Sequence, residues 1–141
     1  MAKIKILRSN EKETEAFDIR EWHGMDNEHY GHRVEWNLEK FRFKAVLGDK
    51  IVGTISGKHE GGVVYIDDLI VSELMRGQGV GRLLIKEAEM VGKKYNAHKI
   101  QLITGKGWKA NEFYKKLGFS TVAILPNHHF HKDFIVYHKL I

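Results

Sequence analysis

Three glycines at alternate positions, Gly77, Gly79 and Gly81, sit between Arg76 and Arg82 with only Gln78 and Val80 between them. What flanks this loop limits what the chain can become. Before it, Val63 to Val71 (VVYIDDLIV) is mostly β-branched or bulky apolar, with two acids set into it, and reads as a buried strand. After it, Val80, Leu83, Leu84, Ala88, Val91 and Tyr95 recur at spacings of three, four and five, the stripe of an amphipathic helix. A strand, a glycine loop and a helix favour an anion. Glycines let successive backbone N–H groups converge without a Cβ in the way. The start of a helix adds a partial positive charge. Arg76 and Arg82 add full ones, and a pyrophosphate fits the sum.

The spacing discriminates between phosphate loops. A Walker A loop ends in Gly-Lys-Ser/Thr, and Arg82-Leu83 does not match. A dinucleotide fingerprint wants a third glycine where Arg82 stands. A plain helix-start turn is the bland alternative, but three alternate glycines exceed what it needs. Arg/Gln-x-x-Gly-x-Gly/Ala does match, as Arg76-Gly77-Gln78-Gly79-Val80-Gly81. Here the chain resembles the GNAT superfamily of acyl-CoA-dependent N-acyltransferases. The resemblance implies that the loop, Arg76 through Arg82 with Gly77, Gln78, Gly79, Val80 and Gly81, holds the pyrophosphate of acetyl-CoA.

The rest of the chain follows the order of that fold. Lys3 to Arg8 alternates like a half-buried strand. Ser9 or Asn10 can cap a short helix through Thr14, Phe17, Ile19 and Trp22, and Tyr30, Val34, Trp36 and Leu38 suggest a second. Three strands with tight turns come next: Phe41–Leu47, Ile51–Gly57 and Val63–Val71. Gly53 and Gly57 mark bulges or close backbone contact. Asn96 is a left-handed helix stop, Lys99–Thr104 a strand, Trp108–Leu117 a helix capped by Gly118, and Phe119–Leu125 and Phe134–Leu140 the last strands. The reading is one α+β domain over residues 1–141, with a mixed sheet of about seven strands flanked by about four helices. Ala110-Asn111-Glu112-Phe113-Tyr114 to Gly118-Phe119 is similar to a second GNAT signature, Ala-x-x-Phe-Tyr-x-x-x-Gly-Phe.

Composition excludes some classes. There is no cysteine, hence no disulfide, thiolate metal site or cysteine nucleophile. No apolar run approaches the ~20 residues of a membrane span, and no leader-like segment opens the chain, so a cytoplasmic enzyme without membrane contact is expected. The net charge of +5 could serve nucleic acid, but the lysines are spread out with no arginine-rich tail. A cationic surface that suits a phosphorylated co-substrate is the better reading.

The chemistry implied by the resemblance is attack of a primary amine, on a small molecule or peptide, on the thioester of acetyl-CoA in a ternary complex. An alkyl ammonium holds its proton at neutral pH, so a base or water relay is required. Asp67 and Asp68 are the candidates, and the resemblance to diamine acetyltransferases favours Asp67; either could instead pair with a nearby Lys or Arg. Adjacent strand residues point to opposite faces unless a bulge intervenes. Leu69, Ile70 and Val71 lie where the family takes the pantetheine arm on strand backbone. Tyr114 matches the family's proton donor to the departing thiolate; the alternative is a core aromatic. The family's coenzyme-binding asparagine falls near Gly107 and Trp108, which leaves the displaced Asn111 as its stand-in.

Asp26, Glu28, Glu35 and Glu39 with Trp22, Tyr30 and Trp36 suit a cationic, polyamine-like acceptor. His128, His129 and His131 invite a zinc reading, but no acid or cysteine follows at metal spacing, and no metal is expected; His23, His29 and His32 are weaker still. Dimers are common in the family, so a homodimer is compatible with this reading. A non-catalytic acyl-CoA sensor and a basic nucleic-acid module remain the rivals.

Overall fold

The computed structural model describes residues 2–141. They group into two compact units, one ending at Glu35 and one formed by Trp36–Ile141, where the sequence suggests a single domain. The first unit holds α1, Glu11–Tyr30. Asn10 caps it, its side chain accepting from Glu13 N–H at 2.9 Å, and Gly31 ends it in the left-handed region. The first of the two short helices expected thus runs on to Tyr30, and the second, expected through Val34, Trp36 and Leu38, does not form. Gly24 costs an interior helix only about 1 kcal/mol, and the helix runs through it to the Gly31 cap. The alternation of Lys3–Arg8 does not produce a strand, and Ile4 and Ile6 are exposed. Met1 lies outside the described residues.

The second unit contains β1 (Glu39–Leu47), β2 (Lys50–Glu60), β3 (Val63–Val71), α2 (Val80–Lys94), β4 (Lys99–Gly105), α3 (Ala110–Lys116), β5 (Ser120–Leu125) and β6 (Phe134–Leu140). The sheet order is β1-β2-β3-β4-β6-β5, antiparallel except for β3 beside β4. Among the described residues that makes six strands and three α-helices, against about seven and four expected. The absent strand is Lys3–Arg8, and the absent helix is the one expected through Tyr30, Val34, Trp36 and Leu38, where residues 31–38 are not helical. Gly61 and Gly62, both at positive φ, make the two-residue turn between β2 and β3.

The core lies between the sheet and α2. Val80, Leu84, Ala88 and Gly92 face it at intervals of four, with Gly81 and Ile85 alongside. Leu83, expected on this stripe, is exposed, and Ile85 takes the buried place. The buried face is therefore turned slightly from the one the apolar spacing suggests. Gly53 lets the helix settle on the sheet: a Cβ there would stand 3.1 Å from both Val80 and Leu84 side chains. Asn96 leaves the helix with φ 54, as its position suggests.

The parallel pair is short. Only Val63–Lys99, Val64–Ile100 and Tyr65–Gln101 are in register, and beyond Tyr65 the strands part. The same point carries a bulge. Ser56 pairs with Asp68 and Gly57 with Ile66, so Asp67 is an extra residue on β3. A bulge bends its strand and sharpens the twist, which takes β3 away from β4. Gly57 makes the bend feasible, because a Cβ there would lie 2.0 Å from the Tyr65 carbonyl oxygen. Gly57→Ala should therefore destabilise the fold by about 1–3 kcal/mol or more. Denaturant unfolding checks this, and a neutral result would contradict the strain argument.

Candidate active site

The glycine loop follows β3 through a single 3-10 turn at Glu73–Met75 and enters α2 with Gly79 as its N-cap. Gly77 and Gly79 have φ of 78° and 85° with open space around their Cα atoms, so their need is conformational. Gly81 differs: a Cβ would meet the Phe113 ring at 2.8 Å, and its role is close packing of α2 on α3. The first α-helical bond runs from Leu83 N–H to Gly79 O. Among the described residues no backbone or side-chain group accepts from the amides of Gly77, Gln78 and Gly79, and those of Val80, Gly81 and Arg82 are the unpaired donors every helix start leaves. No side chain plugs them. Arg76 Nε donates to Val71 O at 3.1 Å and Gln78 Nε2 to Leu74 O at 3.4 Å, so both are folded onto the loop backbone. Unpaired amides with Arg76 and Arg82 beside them make a donor set that fits a pyrophosphate.

Where β3 leaves β4, its backbone is open on one side. Ser72 N–H donates to Val52 O on β2. Alternation along the strand turns the Ile70 and Asp68 amides the same way, and those of Leu69 and Val71 toward the gap. Ile70, expected to touch the coenzyme with its neighbours, thus spends its amide on β2, and its side chain is exposed.

The bulge decides where the acids go. Val64 and Ile66 are buried, then Leu69 and Val71 pack on the core, a step of three in place of two. Asp67 and Asp68 both fall in that step and both are exposed. Opposite faces, the expectation for neighbours in a regular strand, do not apply here. Asp68 Oδ2 accepts from Ser56 Oγ at 3.4 Å, and neither acid has a salt bridge among the described residues.

Tyr114 is held by the end of its helix. Gly118 N–H donates to Lys115 O and Phe119 N–H to Tyr114 O, the two bonds of a Schellman motif, with Gly118 at φ 93. The hydrophobic contact that accompanies such a motif is Tyr114 against Phe119, edge to face at 5.6 Å. This explains the Phe-Tyr-x-x-x-Gly-Phe spacing physically. Burial pushes the Tyr114 hydroxyl up from 10.0 to about 12. At neutral pH the group is a phenol, able to donate a proton. Among the described residues its hydroxyl has no hydrogen-bond partner.

Asn111 behaves otherwise than expected. It is buried, and its side-chain NH2 donates to Gly105 O at 2.8 Å and Trp108 O at 2.7 Å, while Oδ1 accepts from the Tyr137 hydroxyl at 2.6 Å. Both its donor hydrogens are spent inside the protein, leaving none for a coenzyme arm. Tyr137, its partner, carries no sequence signal of function; its place in the continuous apolar run Phe134–Tyr137 of β6 marks only burial.

The remaining candidates are divided between the two units. His131 Nδ1 bonds Asn127 Oδ1, His128 and His129 pack on Phe134, and no group of three or more His, Cys, Asp or Glu among the described residues could hold a metal. Trp22, Asp26, Glu28, Tyr30 and Glu35 belong to the first unit, along with His23, His29 and His32. Trp36 and Glu39 belong to the second, where the Trp36 ring packs over Gly61. A shallow cavity between β1 and the C-terminal half of α2, lined by Phe41, Phe43, Met90 and Tyr95 among others, is at the other end of the helix from the glycine loop. No described helix is long and apolar enough to cross a membrane.

The site is thus framed by a mixed sheet splayed after one short parallel ladder, with unpaired amides at the mouth of the crossover helix. The sequence profile of the acetyltransferase (GNAT) family matches residues 8–119, and the chain belongs to that family. Its fold is shared with an acetyltransferase from Bacillus cereus ATCC 14579 (22% identity, 98% of each chain covered, TM-score 0.72). It is also similar to a candidate streptothricin acetyltransferase from Bacillus anthracis str. Ames in complex with acetyl coenzyme A (26% identity, 72% of this chain and 62% of that one, TM-score 0.67). An aminoglycoside 6'-N-acetyltransferase complexed with coenzyme A matches 74% of each chain at 23% identity and TM-score 0.65. The protein is thus an acyltransferase of the acetyltransferase family, and two of the structures it resembles hold acetyl coenzyme A or coenzyme A.

Tyr114 gives a pH test. Because its folded pKa is raised, the stability it contributes is fully present below pH 10 and is lost as pH rises through about 12. Ultraviolet titration should show a tyrosine ionising near pH 12 that disappears in Tyr114→Phe. A Tyr114→Phe curve identical to wild type would contradict this.

Proposed function

We propose that the chain acetylates a primary amine of a small molecule or peptide by direct attack, with both substrates bound. The observation that carries the reading is the pairing of free amides in the loop with the opening of β3 from β4, since together they offer one path for a phosphorylated, extended thioester. The amides of Gly77 to Arg82, with Arg76 and Arg82, would hold the pyrophosphate. Leu69 and Val71 would bond the pantetheine arm, and a β3 amide would polarise the thioester carbonyl.

Asp67 takes the proton of the incoming ammonium, directly or through one water. The amine nitrogen then forms its bond to the acetyl carbon, the carbon–sulfur bond breaks, and the nitrogen's second proton passes through water to replace the one that Tyr114 gives up. Tyr114 supplies a proton to the departing thiolate, and its burial keeps that proton in place until sulfur charge develops beside it. Acetyl-CoA supplies the activated acyl group; the chain supplies alignment and proton transfer.

Two carboxylates on one exposed face, Asp67 and Asp68, favour a cationic acceptor, polyamine-like in charge. The name of the 26% identical streptothricin enzyme supports a small molecule. A cytoplasmic setting accords with a chain free of cysteine.

Incubation with acetyl-CoA and a panel of polyamines, aminosugars and peptides, read by release of free thiol, tests the proposal. Asp67→Asn should lower turnover on the best acceptor by about 10²-fold or more, with acetyl-CoA affinity retained. Unchanged turnover would remove Asp67 from the role of base, and no thiol release with any amine would contradict the acceptor class.

A further inference from the structure

We infer that Asn111 and Tyr137 are positioning residues for acyl transfer, fixing the helix that carries Tyr114. The inference rests on the reading of Tyr114 as the proton donor. It begins with a weakness in α3. That helix has seven residues, Ala110–Lys116, and Lys109 at its N-cap makes no side-chain hydrogen bond. A helix this short is not stable by itself, so its orientation has to come from tertiary contacts.

At its C-terminal end the Schellman motif holds Tyr114 against Phe119. At its N-terminal end the work falls to one carboxamide. Asn111 stands three residues before Tyr114, on the same side of the helix. Its NH2 reaches Gly105 O, the last residue of β4, and Trp108 O in the turn that follows. Its Oδ1 receives the Tyr137 hydroxyl from β6. All three bonds are 2.8 Å or shorter, and Tyr137 is 1% exposed. One side chain therefore ties together the end of β4, the start of α3 and the middle of β6. The Tyr137 ring also lies 6.2 Å from the Tyr114 ring, so the clamp and the donor share a wall.

The turn it closes is tight. A Cβ on Gly105 would fall 2.2 Å from the Trp108 indole, so β4 passes directly beneath that ring. Gly105 O already accepts from Trp108 N–H at 3.2 Å and Trp108 O from Asn111 N–H at 3.1 Å, so the carboxamide adds a second, shorter bond to each carbonyl of the turn. Among side chains of this size, a carboxamide supplies two hydrogens and an acceptor at once. Asp has no hydrogens to give when ionised, and Leu of similar volume has none. A carboxamide at position 111 is therefore what joins all three elements at once. Removing the Tyr137 hydroxyl frees the carboxamide to turn and α3 to roll, which shifts the Tyr114 hydroxyl without taking anything away from it.

A double-mutant cycle on the intact enzyme tests this, with kcat and KM measured for acetyl-CoA and a saturating amine. Tyr137→Phe keeps the ring and should fold; it should lower kcat about three- to tenfold by misplacing the donor, with KM for acetyl-CoA within about twofold. In the Tyr114→Phe background the same change should have no further effect, because there is no hydroxyl left to aim. Equal effects in both backgrounds would overturn the inference by showing a clamp that acts independently of Tyr114. An unchanged kcat in Tyr137→Phe alone would also overturn it. A Tyr114→Phe enzyme with wild-type kcat would sink the donor assignment itself, and this inference with it. Asn111→Ser, which keeps an acceptor for Tyr137 but one donor at most, should fall between wild type and Tyr114→Phe in kcat. A kcat equal to wild type there would count against the clamp.

Discussion

The close approach of the Tyr65 carbonyl to Gly57 is the contact on which the rest of the structure depends. It places the bulge at Asp67, and the bulge has three consequences. It ends the parallel ladder after Tyr65. It leaves the Leu69 and Val71 amides turned away from β2 with no strand opposite. It brings two neighbouring carboxylates to one exposed face. A regular strand would pair fully with β4, close the gap and send Asp68 toward the core, where an unpaired carboxylate is costly. A local irregularity thus sets the gap between the strands and the acid pair together.

Around that cleft, glycines serve three distinct needs. Gly57 yields space to a carbonyl, Gly81 yields space to Phe113, and Gly77 and Gly79 adopt dihedrals that other residues resist. The first two bring elements close, and the last two free the amides at the mouth of α2. Electrostatics then adds to shape. The amides, the helix start and two arginines concentrate positive character at one end, while the two aspartates hold negative charge on the sheet face. Tyr114 belongs to neither group: it is a neutral donor kept so by burial.

Much of this was legible in the sequence. The boundaries of β3 and β6 match the apolar runs, Asn96 and Gly118 end their helices in the left-handed region, and the spacing from Arg76 to Gly81 identifies the loop. These signals are local: a turn, a cap or an alternation is written in a few consecutive residues. Lys3–Arg8 shows the limit, since alternation makes a strand only where another strand pairs with it, and pairing partners are not encoded locally. Ile85 in place of Leu83 on the buried face shows the same limit for a helix, because both spacings are helical and only the packed sheet decides. Asn111 was the sharpest case. Its position suggested a ligand contact, whereas its carboxamide is consumed by Gly105, Trp108 and a tyrosine 26 residues further on.

The central claim is that amides at the mouth of α2 grip the pyrophosphate of acetyl-CoA while the parted strands take the arm. Amide chemical shifts of the labelled protein, followed while coenzyme A or pantetheine is added, test both halves in one measurement. The account predicts that coenzyme A moves the Gly77 to Arg82 amides together with Leu69 and Val71, and that pantetheine, which has no pyrophosphate, moves at most the latter pair. Loop amides that stay in place at saturating coenzyme A would contradict it.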